Sequence, residues 1–268
     1  MSDLFLGLLC RCKDEAYIEE FCDYYFKQGI DKIIIVDDNS NDKSIYNNLR
    51  TDNAIEIVFE HNIIARKFLS EYYQSIREQF EWLIYIDVDE FITTKRNSNK
   101  TIKQELIDTF SQYSCIKIPW VMMSCNNATV SPKSLLQSNI YRWNHDLRHP
   151  NPIHKFRCRY EAIEVKCIFR PSEYEQILDH HPLECNKECN VVDSVYLKSS
   201  KLDPWYQNLR EIDIENAYML CYHYRIISAE NCIQKLRTNK WYIDAGYTLE
   251  DLMSSDHPEI MDKTLYER

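Results

Sequence analysis

Asp87 and Asp89, in the stretch EWLIYIDVDEFI (residues 81–92), are two carboxylates spaced i, i+2 directly after the apolar run of Trp82, Leu83, Ile84, Tyr85 and Ile86. Where a strand ends and the chain turns, both can reach one hard divalent cation, and that cation can bridge the two phosphates of a nucleoside diphosphate. Without a cation their mutual repulsion raises at least one pKa and costs stability. Strand ends are often acidic and solvated, and motifs this short recur by chance. The pair gains weight from two further acidic loops: Lys13, Asp14 and Glu15 after FLGLLC (5–10), and Asp37, Asp38, Asn39 and Ser40 at the end of KIIIVDD (32–38).

The elements that must carry these loops alternate. FLGLLC has strand length. EAYIEEFCDYYFKQG places Tyr17, Ile18, Phe21, Tyr24 and Tyr25 at helical spacing and stops at Gly29. KIIIVDD is continuously apolar, as in a strand covered on both faces. A polar turn NSNDKS, a helix to Arg50, a third strand AIEIVFE, a helix from about Ala65 to Phe80 and the strand WLIYI follow. This order predicts an α/β fold with a mostly parallel sheet and helical crossovers. In such sheets ligands bind beyond the carboxyl ends of the strands, where all three acidic loops fall. The second half is less regular, with strands IKIPWVMM (116–123), SNIYRW and EVKCIFRP (164–171). C-terminal helices follow, one capped at Ser228.

Composition narrows the function classes. With 268 residues and 44% hydrophobic residues the chain can bury a substantial core. A net charge of -10 argues against a nucleic-acid binder, although a local basic patch could hold a small anion. The 11 cysteines are odd in number and scattered, several within apolar runs (Cys10, Cys115, Cys167, Cys221), which predicts reduced, buried thiols. No segment reaches about 18 apolar residues and the N-terminus lacks a basic n-region, so no transmembrane segment or signal peptide is expected. Few glycines with much Asn, Ile, Lys and Tyr hint at an AT-rich genome.

KDEAYIEEFCDYYFKQGIDKIIIVDDNSNDKS followed by EWLIYIDVDEFI resembles the GT-A glycosyltransferases of the family 2 and family 92 type. Those have a (K/R)NE stretch and an S.D.S turn before a DvDEF segment. The likeness continues weakly through VKCIFRPS, ILDHHP and CYHYRIISAENCIQK, the last similar to a HYR.KS.E.F..K pattern, so that it spans about Leu8 to Lys235. The resemblance implies a GT-A core over residues 1–182 and a helical C-terminal extension over 183–268 that completes the site within the same globular unit. It implies a sugar-nucleotide-dependent transferase, with a UDP-sugar as donor and Mn2+ or Mg2+ as cofactor. Lys13, Asp14 and Glu15 would flank the nucleotide, Asp14 standing where the family usually has Asn. Asp38, with Asp37 beside it, would bind the uracil or ribose, and Arg66 would lie near the diphosphate or donor sugar. Asp87 and Asp89, with Val88 between them, would be the DxD pair, Asp89 the more direct ligand. A C-terminal histidine would complete the metal shell: His181 first, His180 and His223 as alternatives.

Other side chains have two readings. Arg225 and Lys166 could neutralise the departing diphosphate or be charges with packed stems. Trp120 and Trp143 could stack on a sugar or fill the core. A lone histidine is more often a structural residue than a ligand, and neighbours in a strand face opposite ways, so at most one of His180 and His181 can enter the site. Asn126 and Asn127 fall where the family has a Gly-containing loop under the donor sugar. His180, His181, Cys185 and Cys189 could instead hold a structural zinc, which would exclude His181 from the catalytic shell.

The mechanism implied is direct displacement with inversion, a carboxylate deprotonating the acceptor hydroxyl of a glycan, lipid-linked or protein acceptor. Asp146 is the favoured base, with Glu161, Glu164 and Asp179 as further acids. Two rivals are a catalytically inactive binding or scaffold protein of the same fold and a haloacid-dehalogenase-type phosphatase with the first Asp as nucleophile. The phosphatase is disfavoured because its DxD strand lies near the N-terminus of its core. A cytoplasmic location is expected, in the host cytoplasm or virion if the source is viral.

Overall fold

The computed structural model describes residues 4–50, 52–59, 65–148, 162–185, 188–266 and 268, with the side chains of 65–70 and 184 excepted. In chain order the elements are β1 (Leu4–Cys12), α1 (Ile18–Lys27), β2 (Lys32–Asp37), β3 (Ile55–Phe59), α2 (Ala65–Ile76), β4 (Phe80–Asp87), β5 (Glu90–Thr94), α3 (Ile102–Glu105), β6 (Cys115–Ser124), α4 (Leu135–Ser138), β7 (Tyr141–Arg142) and β8 (Ala162–Phe169). They continue with β9 (Tyr174–Ile177), β10 (Pro182–Cys185), β11 (Val191–Asp193), β12 (Trp205–Gln207), α5 (Glu211–Asn216), β13 (Met219–His223), α6 (Ala229–Thr238), α7 (Lys240–Ala245), α8 (Leu249–Met253) and β14 (Ile260–Met261).

β3, β2, β1 and β4 lie side by side in parallel, with Leu8 opposite Ile33 on β2 and Ile84 on β4. β8 runs antiparallel to β4, and β6 antiparallel to β8. The result is the expected mixed α/β, mostly parallel sheet flanked by helices. The period-two alternation of β1 sorts its side chains: Leu6, Leu8, Cys10 and Cys12 pack in one core with Phe21 and Tyr25 of α1, while Leu9 packs in a second with Tyr73 and Ile76 of α2. α1 ends where sequence placed it, Gly29 taking φ of 90° without the penalty a Cβ would add there.

Several expectations are corrected. The helix to Arg50 is a single 3-10 turn, Lys43–Tyr46, capped by Asp42 accepting from the Ser44 N–H at 2.8 Å. The turn expected after Asp87 is present and short: Val88 and Asp89 lead directly into β5, which pairs antiparallel with β13, Glu90 opposite His223. The 182/183 boundary falls inside β10, and the segment expected to be helical returns β11 and β13 to pair with β6 in the main sheet. Among the described residues eight cysteines are free and buried, but Cys185 and Cys189 form a disulfide, so the all-thiol expectation fails at this pair. Among the described residues no helix is long and apolar enough to cross a membrane.

Candidate active site

The turn bearing Asp87 and Asp89 is held from below by α1. Tyr25 Oη donates to the Glu90 carbonyl at 3.1 Å and accepts from the Ile92 N–H at 2.9 Å, while Tyr24 Oη donates to the Ile92 carbonyl at 2.8 Å. Phe91 fills the space between Phe21, Tyr24 and Tyr224, with ring centroids at 5.8, 5.2 and 5.6 Å. From above, the Tyr224 N–H donates to the Asp89 carbonyl at 2.8 Å. An aromatic helix face and a late strand therefore fix a short acidic turn at the carboxyl edge of the sheet.

Each carboxylate of the turn has its own cation. Lys166 on β8, with its side chain 1% exposed, donates to Asp87 Oδ2 at 2.8 Å and to the Asp179 carbonyl at 2.8 Å, and lies 3.2 Å from Glu90 Oε2. Lys235 on α6 donates to Asp89 Oδ2 at 3.1 Å. The other oxygen of Asp89 faces His223 Nε2 at 3.7 Å. Burial alone would raise Asp87, yet Lys166 and Arg11 hold it well below the usual carboxylate range; Asp89 is lowered too, the Lys235 ammonium helping to outweigh its burial. Glu90, wholly buried, is pushed far up by desolvation despite Lys166. Glu15 rises to about 7 through burial, opposed by Lys235 and reinforced by Asp89 and Asp87. His223 falls to about 3, chiefly through burial, and so is a neutral imidazole. Its Nδ1 has no partner among the described residues.

A neutral imidazole nitrogen and a carboxylate oxygen 3.7 Å apart, with no hydrogen bond to either ring nitrogen among the described residues, suit a divalent cation lying between them. The histidine brought to Asp89 is thus His223. The first choice, His181, bonds through Nδ1 with the Pro182 carbonyl at 2.9 Å and lies beside Asp203. His180 bonds with the Val165 carbonyl at 3.1 Å and faces Glu164 at 3.6 Å. The zinc set fails because both of its sulfurs are consumed in the Cys185–Cys189 disulfide. Among the described residues no group of three or more His, Cys, Asp or Glu side chains is arranged as a complete metal site.

The other two loops converge on the same edge. The Asp38 N–H donates to the Cys12 carbonyl at 2.8 Å, and the Asp14 N–H to Ser40 Oγ at 2.9 Å, which ties the first loop to the second. Asp14 and Asn39 have φ of 54° and 55°, a conformation that Asp and Asn tolerate best among residues with a Cβ. Asp14 Oδ1 accepts from the Asn41 N–H at 2.6 Å and the Asp42 N–H at 3.2 Å, so the residue standing in the Asn position serves as a loop tie. Asp37 is buried and accepts from Tyr46 Oη at 2.6 Å and from Lys43 Nζ. Half-buried Asp38 makes no side-chain hydrogen bond among the described residues, and its charge lies beside Arg11.

The remaining expected residues are placed as follows. Lys13 is exposed, and Val88 is buried beneath the turn. Arg225 presents its carbonyl to Lys235 at 3.1 Å, and its guanidinium lies 5.8 Å from the Trp241 ring. The backbone of Arg66 starts α2, but its side chain, like all of Glu161, lies outside the described residues. Asp146 is exposed and accepts from the Glu211 N–H at 3.2 Å, at the start of α5. Asp179 lies by Arg11 and Tyr85, and Glu164 by His180. The Trp120 ring lies tilted against His223, centroids 4.2 Å apart, and Trp143 lies 5.1 Å from His257. Asn126 and Asn127, with φ of 52° and 59°, supply the left-handed backbone that a glycine would have given.

Sequence reasoning missed two cations. Arg11, next to Asp87 across the β1–β4 register, is grouped with Asp38, Asp87 and Asp179. Lys235 was visible only as the last letter of CYHYRIISAENCIQK.

The sequence pattern described as glycosyltransferase family 92 matches residues 73–263. No curated protein matches the chain significantly. Among solved structures, 4-diphosphocytidyl-2C-methyl-D-erythritol synthase from Anaerococcus prevotii aligns at 13% identity and a TM-score of 0.34, over 63% of this chain and 71% of that one. S. aureus TarS 1–349 in complex with UDP-GlcNAc aligns at 16% identity and a TM-score of 0.37, over 63% and 46%. GalNAc-T7 with UDP, GalNAc and Mn2+ aligns at 10% identity and a TM-score of 0.33, over 63% and 35%. The chain therefore spans less than half the length of the latter two.

Proposed function

Because this chain belongs to glycosyltransferase family 92, we propose that it transfers a sugar from a UDP-sugar to an acceptor hydroxyl, with inversion at the sugar carbon. The observation that carries this reading is the meeting of Asp38, Asp87 and Asp89 at one sheet edge, with neutral His223 facing Asp89 at 3.7 Å. Asp89 and His223 would hold a divalent cation, with Asp87 in the same turn. When bound, it supplies Lewis-acid neutralisation of the charge that develops on the diphosphate.

The chain's own residues do the rest. Asp38, whose carboxylate makes no hydrogen bond among the described residues, accepts from the nucleoside. Asp14 and Asp37 hold the loops that present it. Lys166 and Arg11 favour the ionised form of Asp87, while burial favours the protonated form of Glu90 behind it, which lessens repulsion within the turn. A carboxylate on the far face of the sugar removes the acceptor proton, and the acceptor is a glycan, lipid-linked or protein hydroxyl.

The test is a thermal-shift panel of UDP, GDP, CDP and ADP, each with and without Mn2+, on wild type and Asp89→Ala. Ligand at about a hundred times Kd stabilises the native state by roughly 2.7 kcal/mol. A shift with UDP that needs Mn2+ and disappears in Asp89→Ala supports the reading; a folded wild type that responds to none of the nucleotides refutes it.

A further inference from the structure

We propose that Lys235 is a positioning residue which holds Asp89 in the unliganded site and passes to the donor's diphosphate when the nucleotide and its cation enter, an inference that rests on the reading of the site given above.

The two oxygens of Asp89 are divided between two partners. Oδ2 accepts from Lys235 Nζ at 3.1 Å, while Oδ1 faces His223 Nε2 at 3.7 Å. A divalent cation between Asp89 and His223 would place its charge on the same carboxylate that the ammonium now neutralises. The two cations repel each other, so Lys235 competes with the metal for Asp89 as long as no phosphate is present. A diphosphate reverses that relationship, because it brings several negative charges and acceptor oxygens within reach of both cations.

The proton inventory distinguishes Lys235 from its counterpart at Asp87. An ammonium has three N–H donors. Lys166 has three oxygens around it, Asp87 Oδ2, Glu90 Oε2 and the Asp179 carbonyl, at 2.8, 3.2 and 2.8 Å, and its side chain is 1% exposed. It has no donor to spare. Lys235 has two acceptors among the described residues, Asp89 Oδ2 and the Arg225 carbonyl, both at 3.1 Å. Its third donor is unassigned, and its side chain is 13% exposed.

The base of the side chain is fixed while its tip can move. α6 is pinned at its start by Ser228 Oγ, which accepts from the Asn231 N–H at 3.0 Å and lies 2.8 Å from Ser131 Oγ. Gln234, one residue before Lys235, reaches the Asp14 carbonyl at 3.5 Å, so α6 lies over the first acidic loop. The four-carbon stem lets the ammonium exchange acceptors with the helix held still.

The experiment measures two constants on the full chain: Mn2+ affinity without nucleotide, by electron paramagnetic resonance of free Mn2+, and UDP affinity at saturating Mn2+, by calorimetry. Lys235→Met removes the competitor and the phosphate ligand together, so it is expected to bind Mn2+ alone about threefold or more tightly and UDP about tenfold more weakly. Lys235→Arg keeps the charge with a stronger fork on Asp89, so it should bind Mn2+ alone more weakly than wild type while keeping UDP within about threefold. If the Met variant does not fold, the Arg variant carries the test alone. Met-variant constants that stay within about twofold of wild type, Mn2+ binding weakened in the Met variant, or Mn2+ binding not weakened in the Arg variant overturns the proposal. A wild type that binds Mn2+ and UDP beside an unchanged Met variant removes this inference and leaves the proposed function standing. A wild type that binds neither removes both.

Discussion

Lys166 on β8 and Asp87 at the end of β4 meet at 2.8 Å, with the amine 1% exposed and a second carboxylate, Glu90, 3.2 Å away. An ammonium so thoroughly withdrawn from water is tolerated only because its neighbours satisfy it. It links the antiparallel half of the sheet to the acidic turn, so one contact serves both the fold and the candidate site.

Removing only one side of that contact should be costly. Lys166→Met leaves Asp87 and Glu90 facing each other, and we expect a loss of about 3–5 kcal/mol in urea denaturation. Adding Asp87→Asn to it should recover part of the loss, because the uncompensated charge goes too. A single variant within about 1 kcal/mol of wild type would show that the pair is dispensable to folding.

The two neighbouring aspartates of the second loop should behave oppositely. Asp37 accepts from Tyr46 and Lys43 and is buried, so Asp37→Asn should destabilise the free protein by about 1–3 kcal/mol. Among the described residues the Asp38 carboxylate makes no hydrogen bond and has only the nearby charge of Arg11, so Asp38→Asn should change the unfolding midpoint little and weaken UDP binding by roughly tenfold or more. Equal effects of the two on stability would place Asp38 in the scaffold.

His223 gives a pH signature with a defined sign. Its folded value, about 3, lies below the ordinary 6.5 because burial disfavours the imidazolium. Between those values the unfolded chain binds a proton that the folded one refuses, so the contribution is fully present above pH 6.5 and is lost as pH falls towards 3. Glu15 acts in the opposite direction: raised from 4.5 to about 7, it costs stability as pH rises through that window. The two are separated by comparing wild type with His223→Gln in EDTA at several pH values. The variant should gain on wild type as pH falls, by up to about 1.4 kcal/mol per unit. Parallel stability curves would mean that His223 takes up its proton in the fold as readily as in the unfolded chain, which would overturn this reading.

Local patterning made most of the scaffold legible. Continuous apolar runs gave β1, β2, β4, β6 and β8, helical spacing with Gly29 gave α1, and Ser228 gave the start of α6. What stayed hidden depends on pairing between distant segments. β5 is five residues long and acquires its meaning from β13, and that pairing, Glu90 opposite His223, decides which histidine meets Asp89. The choice of His181 followed from a short motif with no knowledge of that register. The disulfide and Lys235 are likewise long-range or geometric facts, with no period in the sequence to announce them.

Inversion needs a base on the far side of the sugar from the diphosphate, and two of the acids considered for it now have different surroundings. Asp146 is exposed and accepts from the Glu211 N–H through one oxygen, the other having no partner among the described residues; Asp179 lies within the field of Arg11, on the side of the sheet where Asp87 stands. A carboxylate next to the cation group suits the nucleotide side, whereas one away from it suits the acceptor. We therefore expect Asp146→Asn to lower kcat for transfer by about a hundredfold or more while leaving UDP affinity unchanged, and Asp179→Asn to act mainly on UDP affinity. Assays of transfer and of UDP binding on the two variants read this directly. The reverse pattern would assign the base to Asp179, and full transfer by Asp146→Asn would exclude Asp146 from the chemistry.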